Sequence, residues 1–426
     1  MNTTTNQKTR NSTLDILRQL VGGDFRQFAM IGALIFLIIF FEIKTGGTVL
    51  KPGNLMNIIS GNSYVLILAL GMLLVIVCAQ IDLSVGSVAA FVGIIVAITA
   101  RAGLPPILAL ILGLLVGLLV GTWQGFWVAW WGVPGFITTL AGMLLFRGAN
   151  QWIGESETVS VPELFRFLGA GYLPDIAPNM IPFNLPTMIL GAVAVGALAW
   201  SAVSKRRRQK RIGAHLPPLW IPVSQVIILG TVIMVIMWLF ATGEEGTSFP
   251  IPGLILAALT LFYSFLTQKT TLGRAVYAVG GNPHAASLSG VSVKKTLFFA
   301  MANMSVLAAV SGILFIGRST ASGPSDGVMW ELDAIAAVFI GGAAVTGGVG
   351  TVMGTIVGGL VMAVLNNGLQ LLGVGAAMTQ VIKGLVLLAA VAVDVWSKKQ
   401  GKPSIIGTLQ RAWGRDKKKT TEVTAH

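Results

Sequence analysis

Asn366, Asn367 and Gln370 fall within about one turn of an otherwise apolar run. Side-chain amides both donate and accept hydrogen bonds, as a sugar hydroxyl requires of its partners. Polar groups inside membrane-spanning segments face protein or water rather than lipid. Asp82, Thr138 and Asn303 stand in similarly apolar surroundings, as do Gln80, Gln124 and Asn150. These side chains are candidates for a translocation path. For each the alternative is a bond between helices, worth about 0.6 kcal/mol. Asp82 lies just before Leu83-Ser84-Val85-Gly86, where a new apolar run begins, and reads either as a carboxylate at a helix start or as a gating group. Asp333 carries the same ambiguity. Lys383 and Arg147 sit near the outer ends of runs, where long basic side chains snorkel or pair.

A second constellation lies between apolar runs, from Leu272 to Val291. Asn282 suits an N-cap, Pro283 the first helical position and Gly290 the residue after the last turn. The spacing predicts a short helix over Pro283 to Ser289, including His284, Ala285 and Ala286. Arg274 and Tyr277 lie just upstream. A short, preformed helix on a loop is suited to taking a push from a soluble motor; a structured loop without a partner is the other reading.

Other chemistry is missing. No Gly-x-x-x-x-Gly-Lys-[Ser/Thr] phosphate loop occurs. Gly348-Val349-Gly350 starts like a dinucleotide fingerprint, but Met353 takes the last glycine position. His215, His284 and His426 are scattered, without metal spacing, and the lone Cys78 can form neither an internal disulfide nor a Cys-based metal site. The expectation is a protein with no cofactor, no metal and no catalysis of its own.

The elements that hold these residues are apolar. Of the 426 residues 54% are hydrophobic and 11% charged, against about 25% charged in a soluble domain. Runs near the 20 residues or so that span a bilayer recur along the chain. Helices are expected at 28–43, 64–80, 83–100, 105–131, 134–153, 186–203, 218–241, 251–268, 296–317, 333–346, 350–373 and 378–396. The 333–346 segment is short enough to be a half-helix. The fold class is therefore all-α, a polytopic bundle of about 10–12 membrane helices. With the N-terminus inside, 22 of the 29 basic side chains fall on the cytoplasmic pieces, as the positive-inside rule asks. Those pieces are the tail 1–27, the basic loop at Lys205 to Arg211, the loop 269–295 and the tail 397–426. Glu155, Glu157, Glu163, Asp175, Glu244, Glu245, Asp326, Glu331 and Asp333 are assigned to the outside. The net charge of +13 thus reads as orientation and contact with anionic headgroups, with no nucleic-acid partner.

Gly113, Gly117, Gly121 and Gly125 repeat every fourth residue, as do Gly350, Gly354 and Gly358. Each set forms one helix face along which another backbone can pack closely. The segment Gly154 to Pro186 contains five prolines and reads as an ordered irregular cap rather than a helix, either a docking place for an external partner or a lid.

The loop around Asn282-Pro283-His284-Ala285-Ala286 resembles the cytoplasmic coupling segment of ATP-binding-cassette permeases for ribose, xylose, arabinose and galactose. Ala79-Gln80-Ile81-Asp82-Leu83-Ser84-Val85-Gly86-Ser87, Val133-Pro134-Gly135-Phe136-Ile137-Thr138-Thr139, Glu331-Leu332-Asp333-Ala334-Ile335 and Gly347-Gly348-Val349-Gly350-Thr351 through Asn366-Asn367-Gly368 resemble the same family, in order, over about residues 60 to 396. The helix pair 186–241 looks like the insertion of the xylose and multiple-monosaccharide subgroup. The resemblance implies a type II importer-like domain over 28–396, two permease copies, a cytoplasmic ATPase, an extracytoplasmic sugar-binding protein and an inner-membrane location with both termini cytoplasmic. It also implies that Arg274, Tyr277, Asn282, Pro283, His284, Ala285, Ala286, Ser289 and Gly290 meet the ATPase. The competing classes are an ion-coupled secondary sugar transporter, which needs a titratable group deep in the bundle, and a glycosyl-transfer enzyme, which needs paired carboxylates.

Overall fold

The glycine ridge on one helix explains the centre of the fold. The computed structural model describes residues 25–176, 180–213, 216, 218–243 and 246–399. Its helices are α1 (Phe25–Lys44), α2 (Pro52–Val77), α3 (Val85–Arg101), α4 (Pro106–Ala129), α5 (Gly135–Ile153), α6 (Glu163–Ala170), α7 (Leu185–Arg211), α8 (Trp220–Ala241), α9 (Ile251–Lys269), α10 (Thr271–Gly281), α11 (Pro283–Leu288), α12 (Val293–Ser319), α13 (Trp330–Ile340), α14 (Val352–Leu371) and α15 (Ala376–Lys399). Gly117, Gly121 and Gly125 of α4 face Ala309, Ala302 and Phe298 of α12, and a Cβ on any of them would come within 3.0 Å of that helix. The ridge is an internal packing face that draws α12 into the core. α2, α3 and α6 also pack on α12.

Seven helices are long and apolar enough to cross a membrane among the described residues: α2, α4, α7, α8, α9, α12 and α14. α3 and the Ala376–Ala392 stretch of α15 are apolar but shorter. The chain divides into two compact units after Lys383. Within the second unit the described part is the remainder of α15. The tails 1–24 and 400–426, with Glu244, Glu245, His215 and His426, lie outside the described residues.

Four sequence expectations need correction. The basic segment Lys205 to Arg211 is not a loop but the end of α7, which runs on unbroken to Arg211. α2 begins at Pro52 rather than near 64, because its polar residues are satisfied locally: Asn62 donates to the Ile58 carbonyl at 2.8 Å and Ser63 to that of Ile59 at 2.6 Å. A hydropathy reading discounts such residues, although the helix hides them. The Gly154–Pro186 cap contains a helix after all, α6, which starts directly after Pro162 and buries Phe165 against the core. Just before it, β1 (Val159–Ser160) pairs antiparallel with β2 (Ala321–Ser322), in register Val159 with Ser322. The segment at 333–346 is α13, which starts earlier and stops at Ile340, ahead of Gly342 with its left-handed φ of 85°. Its 11 residues rise only about 16 Å, half of a bilayer core.

α7 and α8 form an antiparallel hairpin that touches the rest of its unit chiefly through α2. Its two ends meet, the Asn184 N–H donating to the Ala241 carbonyl at 2.9 Å.

Candidate functional site

The coupling segment has the local structure its sequence dictates. Thr270 caps α10, its hydroxyl accepting the Gly273 N–H at 3.1 Å. Asn282 then caps α11, its Oδ1 accepting the Ala285 N–H at 3.0 Å, with Pro283 at the first position. Gly290 takes a left-handed φ of 83°. The Val291 N–H donates to Ala286 and the Gly290 N–H to Ser287, both at 3.0 Å, the paired bonds of a Schellman stop.

The residues of this segment divide between two faces. Arg274, Asn282, Pro283, His284, Ala285, Ser289 and Gly290 are exposed, and Ala286 is buried. Tyr277 is turned inward: its hydroxyl donates to the Gly350 carbonyl at 2.8 Å. Burial holds its phenol above the ordinary pKa, so it stays a neutral donor. Next to it the Gly348 N–H donates to the Val77 carbonyl at 2.8 Å, and Cys78 Sγ lies 3.9 Å from the Val276 carbonyl. α10 is thus fastened to the end of α2 and to the turn preceding α14. Leu288, 79% exposed, was not singled out from the sequence. An apolar residue on a two-turn loop helix was the available signal.

The path candidates fall into separate surroundings. Asp82 lies in the break between α2 and α3 and is 0% exposed. Its Oδ1 accepts the Ser84 N–H at 2.8 Å and hydroxyl at 2.6 Å, and Ser84 Oγ accepts a Gln124 Nε2 hydrogen at 2.8 Å. Asp82 Oδ2 and Gln124 Oε1 have no partner among the described residues. Asp82 is therefore a deeply placed carboxyl two residues ahead of Ser84, which holds the N-cap position of α3. Thr138 is buried on α5, next to Thr139, whose hydroxyl accepts the Leu83 N–H at 3.0 Å. Asn303 Oδ1 accepts the Tyr263 hydroxyl. Asn366 is half-buried and Gln370 exposed. Asn367 exchanges two bonds with Asn54 of α2, at 2.9 and 3.0 Å, which is the geometry of a bond between helices.

Two ion pairs fasten the first turns of α13. Lys383 Nζ lies 2.8 Å from Asp333 Oδ1 and 2.9 Å from Oδ2, and Arg147 reaches Glu331 at 4.0 Å. Both basic residues pair rather than snorkel. Asp333 is not a cap, since Met329 holds that position, and Glu331, in the same first turn, is 6% exposed. The difference at Asp333 follows from α13 starting at Trp330. In the loop before it, burial raises the Asp326 carboxyl above its ordinary pKa, and the Gly323 N–H it accepts at 2.8 Å lowers it. No group of three or more His, Cys, Asp or Glu residues placed to hold a metal occurs among the described residues.

Over residues 54–391 the sequence matches the family described as branched-chain amino acid transport system / permease component. The chain belongs to this permease family. Among curated relatives, the xylose transport system permease protein XylH of Haemophilus influenzae is 38% identical over 376 residues, covering 88% of this chain and 97% of the relative. XylH of Escherichia coli K12 is 36% identical over 375 residues, covering 88% and 92%. The ribose import permease protein RbsC of Haemophilus influenzae is 32% identical over 346 residues, covering 80% and 84%. No solved structure matches. The monosaccharide-permease resemblance read from the motifs is borne out, and the permease is a polytopic helical membrane protein.

Proposed function

We propose that this permease is the membrane subunit of an ATP-binding-cassette importer that carries xylose or a similar monosaccharide across the bacterial inner membrane. It works as a homodimer with both termini cytoplasmic. A cytoplasmic ATPase supplies the energy and an extracytoplasmic sugar-binding protein delivers the substrate. Similarity to two xylose permeases over 88% of the chain supports the sugar. The family description names branched-chain amino acids, but the uncharged amides and hydroxyls of the interior suit a sugar better than an amino-acid zwitterion.

The observation that carries the coupling role is α11, capped at both ends, exposed, and presenting Leu288 outward. A preformed helix loses little ordering entropy on docking. Motion of α11 passes through α10 to the end of α2, by way of Val276 and Cys78, and to the turn before α14, by way of Tyr277 and Gly350. Arg274 extends the docking surface toward an acidic face of the ATPase.

The test is Leu288→Asp with Ala285→Glu, both at exposed positions, in cells expressing the whole transporter. Xylose uptake and ATPase pull-down should fall together while the permease still inserts. Normal uptake with undiminished pull-down would remove α11 from the mechanism. The buried Asp82 is the observation that favours ion-coupled transport instead. Uptake abolished by a protonophore at constant cellular ATP would select that reading, and leucine uptake without xylose uptake would overturn the sugar.

A further inference from the structure

The α7–α8 hairpin has a charge distribution and a groove that the coupling route through α11 and α10 does not involve. Six basic residues, Lys205 to Arg208 with Lys210 and Arg211, close α7. Between Asp175 and Glu244 the sequence contains no acidic residue, so the hairpin cannot neutralise them itself. Five of the six side chains are exposed. A helix C-terminus favours cations in its last turn, but that preference does not extend to six of them over two turns.

Between the two helices runs an almost wholly apolar groove of ≈ 600 Å³, lined among others by Met188, Val195, Val226, Ile227, Gly230 and Trp238. The size is that of a small-molecule site. The helices meet with Gly230 against Val195 and Gly191 against Met237. Continued along the antiparallel pair, this register sets Trp220 of α8 near the start of the basic run. Trp220 is half exposed and Trp200 largely so, as in the aromatic belt at a membrane–water interface. The groove begins at Val226, about 9 Å along α8 from Trp220. One leaflet of hydrocarbon is about 15 Å deep, so an acyl chain hanging from a headgroup at the basic turn reaches the groove and runs past Gly230.

We infer that the hairpin is a binding site for an anionic phospholipid, with the phosphate headgroup on the basic end of α7 and one acyl chain in the α7–α8 groove. Headgroup and tail are recognised by one element that stands apart from the core. The assignment to the inner leaflet rests on the cytoplasmic placement of this turn proposed above; the lipid chemistry does not depend on the transported sugar.

The experiment uses the full chain, purified in mild detergent and exposed to mixed micelles containing equal phosphatidylglycerol and phosphatidylethanolamine. Retained lipids are counted by native mass spectrometry. The wild type should keep phosphatidylglycerol selectively. Arg207→Gln, Arg208→Gln and Arg211→Gln together should abolish the headgroup preference, at about fivefold for each charge removed. The three remaining basic residues preserve the charge asymmetry that orients insertion. Ile227→Trp, at an exposed position in the groove, should lower retention of both lipids while leaving the headgroup ratio unchanged. Equal retention of the two lipids by the wild type would overturn the site. So would undiminished selectivity in the triple variant. Full retention by Ile227→Trp would reduce the site to diffuse attraction by the basic turn and overturn the groove. Dissociation of a dimer by Ile227→Trp without lipid loss would assign the groove to a second copy of the chain. Temperature-dependent maleimide labelling of the buried Cys78 checks that each variant is folded, and sugar uptake is scored separately.

Discussion

Gly280 sits where α10 crosses the end of α2, and replacing it by alanine tests whether that crossing is rigid. An added Cβ would lie 1.6 Å from the Val77 carbonyl oxygen and 2.7 Å from the Gly348 nitrogen. Reaching even 3.0 Å from that oxygen requires the two backbones to part by about 1.4 Å. The Gly348 N–H to Val77 bond, now 2.8 Å, would then be broken in a buried place. Losing it costs about 1–3 kcal/mol, and overpacking a similar amount. Alanine regains about 1 kcal/mol of helix propensity. The net loss is about 1–5 kcal/mol. Cys78, buried one residue beyond Val77 and the only cysteine, reports on this region, so maleimide labelling against temperature is the assay. Gly281→Ala is the matched control, because nothing lies within 4 Å of its added Cβ. Gly280→Ala should label at a clearly lower temperature than wild type, and Gly281→Ala no lower than wild type. Identical labelling of the two variants would refute the reasoning.

Three further outcomes follow from the same structure. Asn54→Leu and Asn367→Leu should each destabilise the fold, and their double-mutant cycle should show a coupling of about 0.6 kcal/mol; loss of uptake in Asn367→Leu alone, at unchanged stability, would return that amide to the translocation path. Lys383→Met leaves Asp333, 24% exposed, without its cation and should cost about 1–3 kcal/mol in thermal stability, partly recovered when Asp333→Asn is added; no recovery would show that the pair is not what holds α13. Asn282→Ala removes the α11 cap and should reduce uptake, with a local cost of about 1 kcal/mol, whereas Asn282→Asp keeps both; equal loss in the two variants would mean that the amide acts on a partner and not as a cap.

What the sequence made legible was local. α11 could be written down residue by residue because cap, proline start and glycine stop lie within nine positions of one another. The glycine spacing on α4 showed a packing face but not that α12 would fill it. Tyr277 reaches Gly350 across 73 residues and Lys383 reaches Asp333 across 50; no spacing rule joins partners so far apart. Asn367 looked like a lining residue because its composition is that of a sugar site. Its partner Asn54 lay in a stretch that hydropathy had left outside any helix. Asp82 was legible as a residue at a helix start but not as a buried one: a break between two helices reads as an end, and ends are expected at the surface, whereas this one lies inside the packed interior.

The bond between Asn184 and Ala241 makes the hairpin a removable unit of the chain. A path that departs and returns at one spot can be lengthened, shortened or exchanged there without rerouting what flanks it, since the loop-closure term changes only slowly with length. Residues 185–240 are thus portable: excised and replaced by a tight turn, they would leave the neighbouring backbone within reach of its present positions.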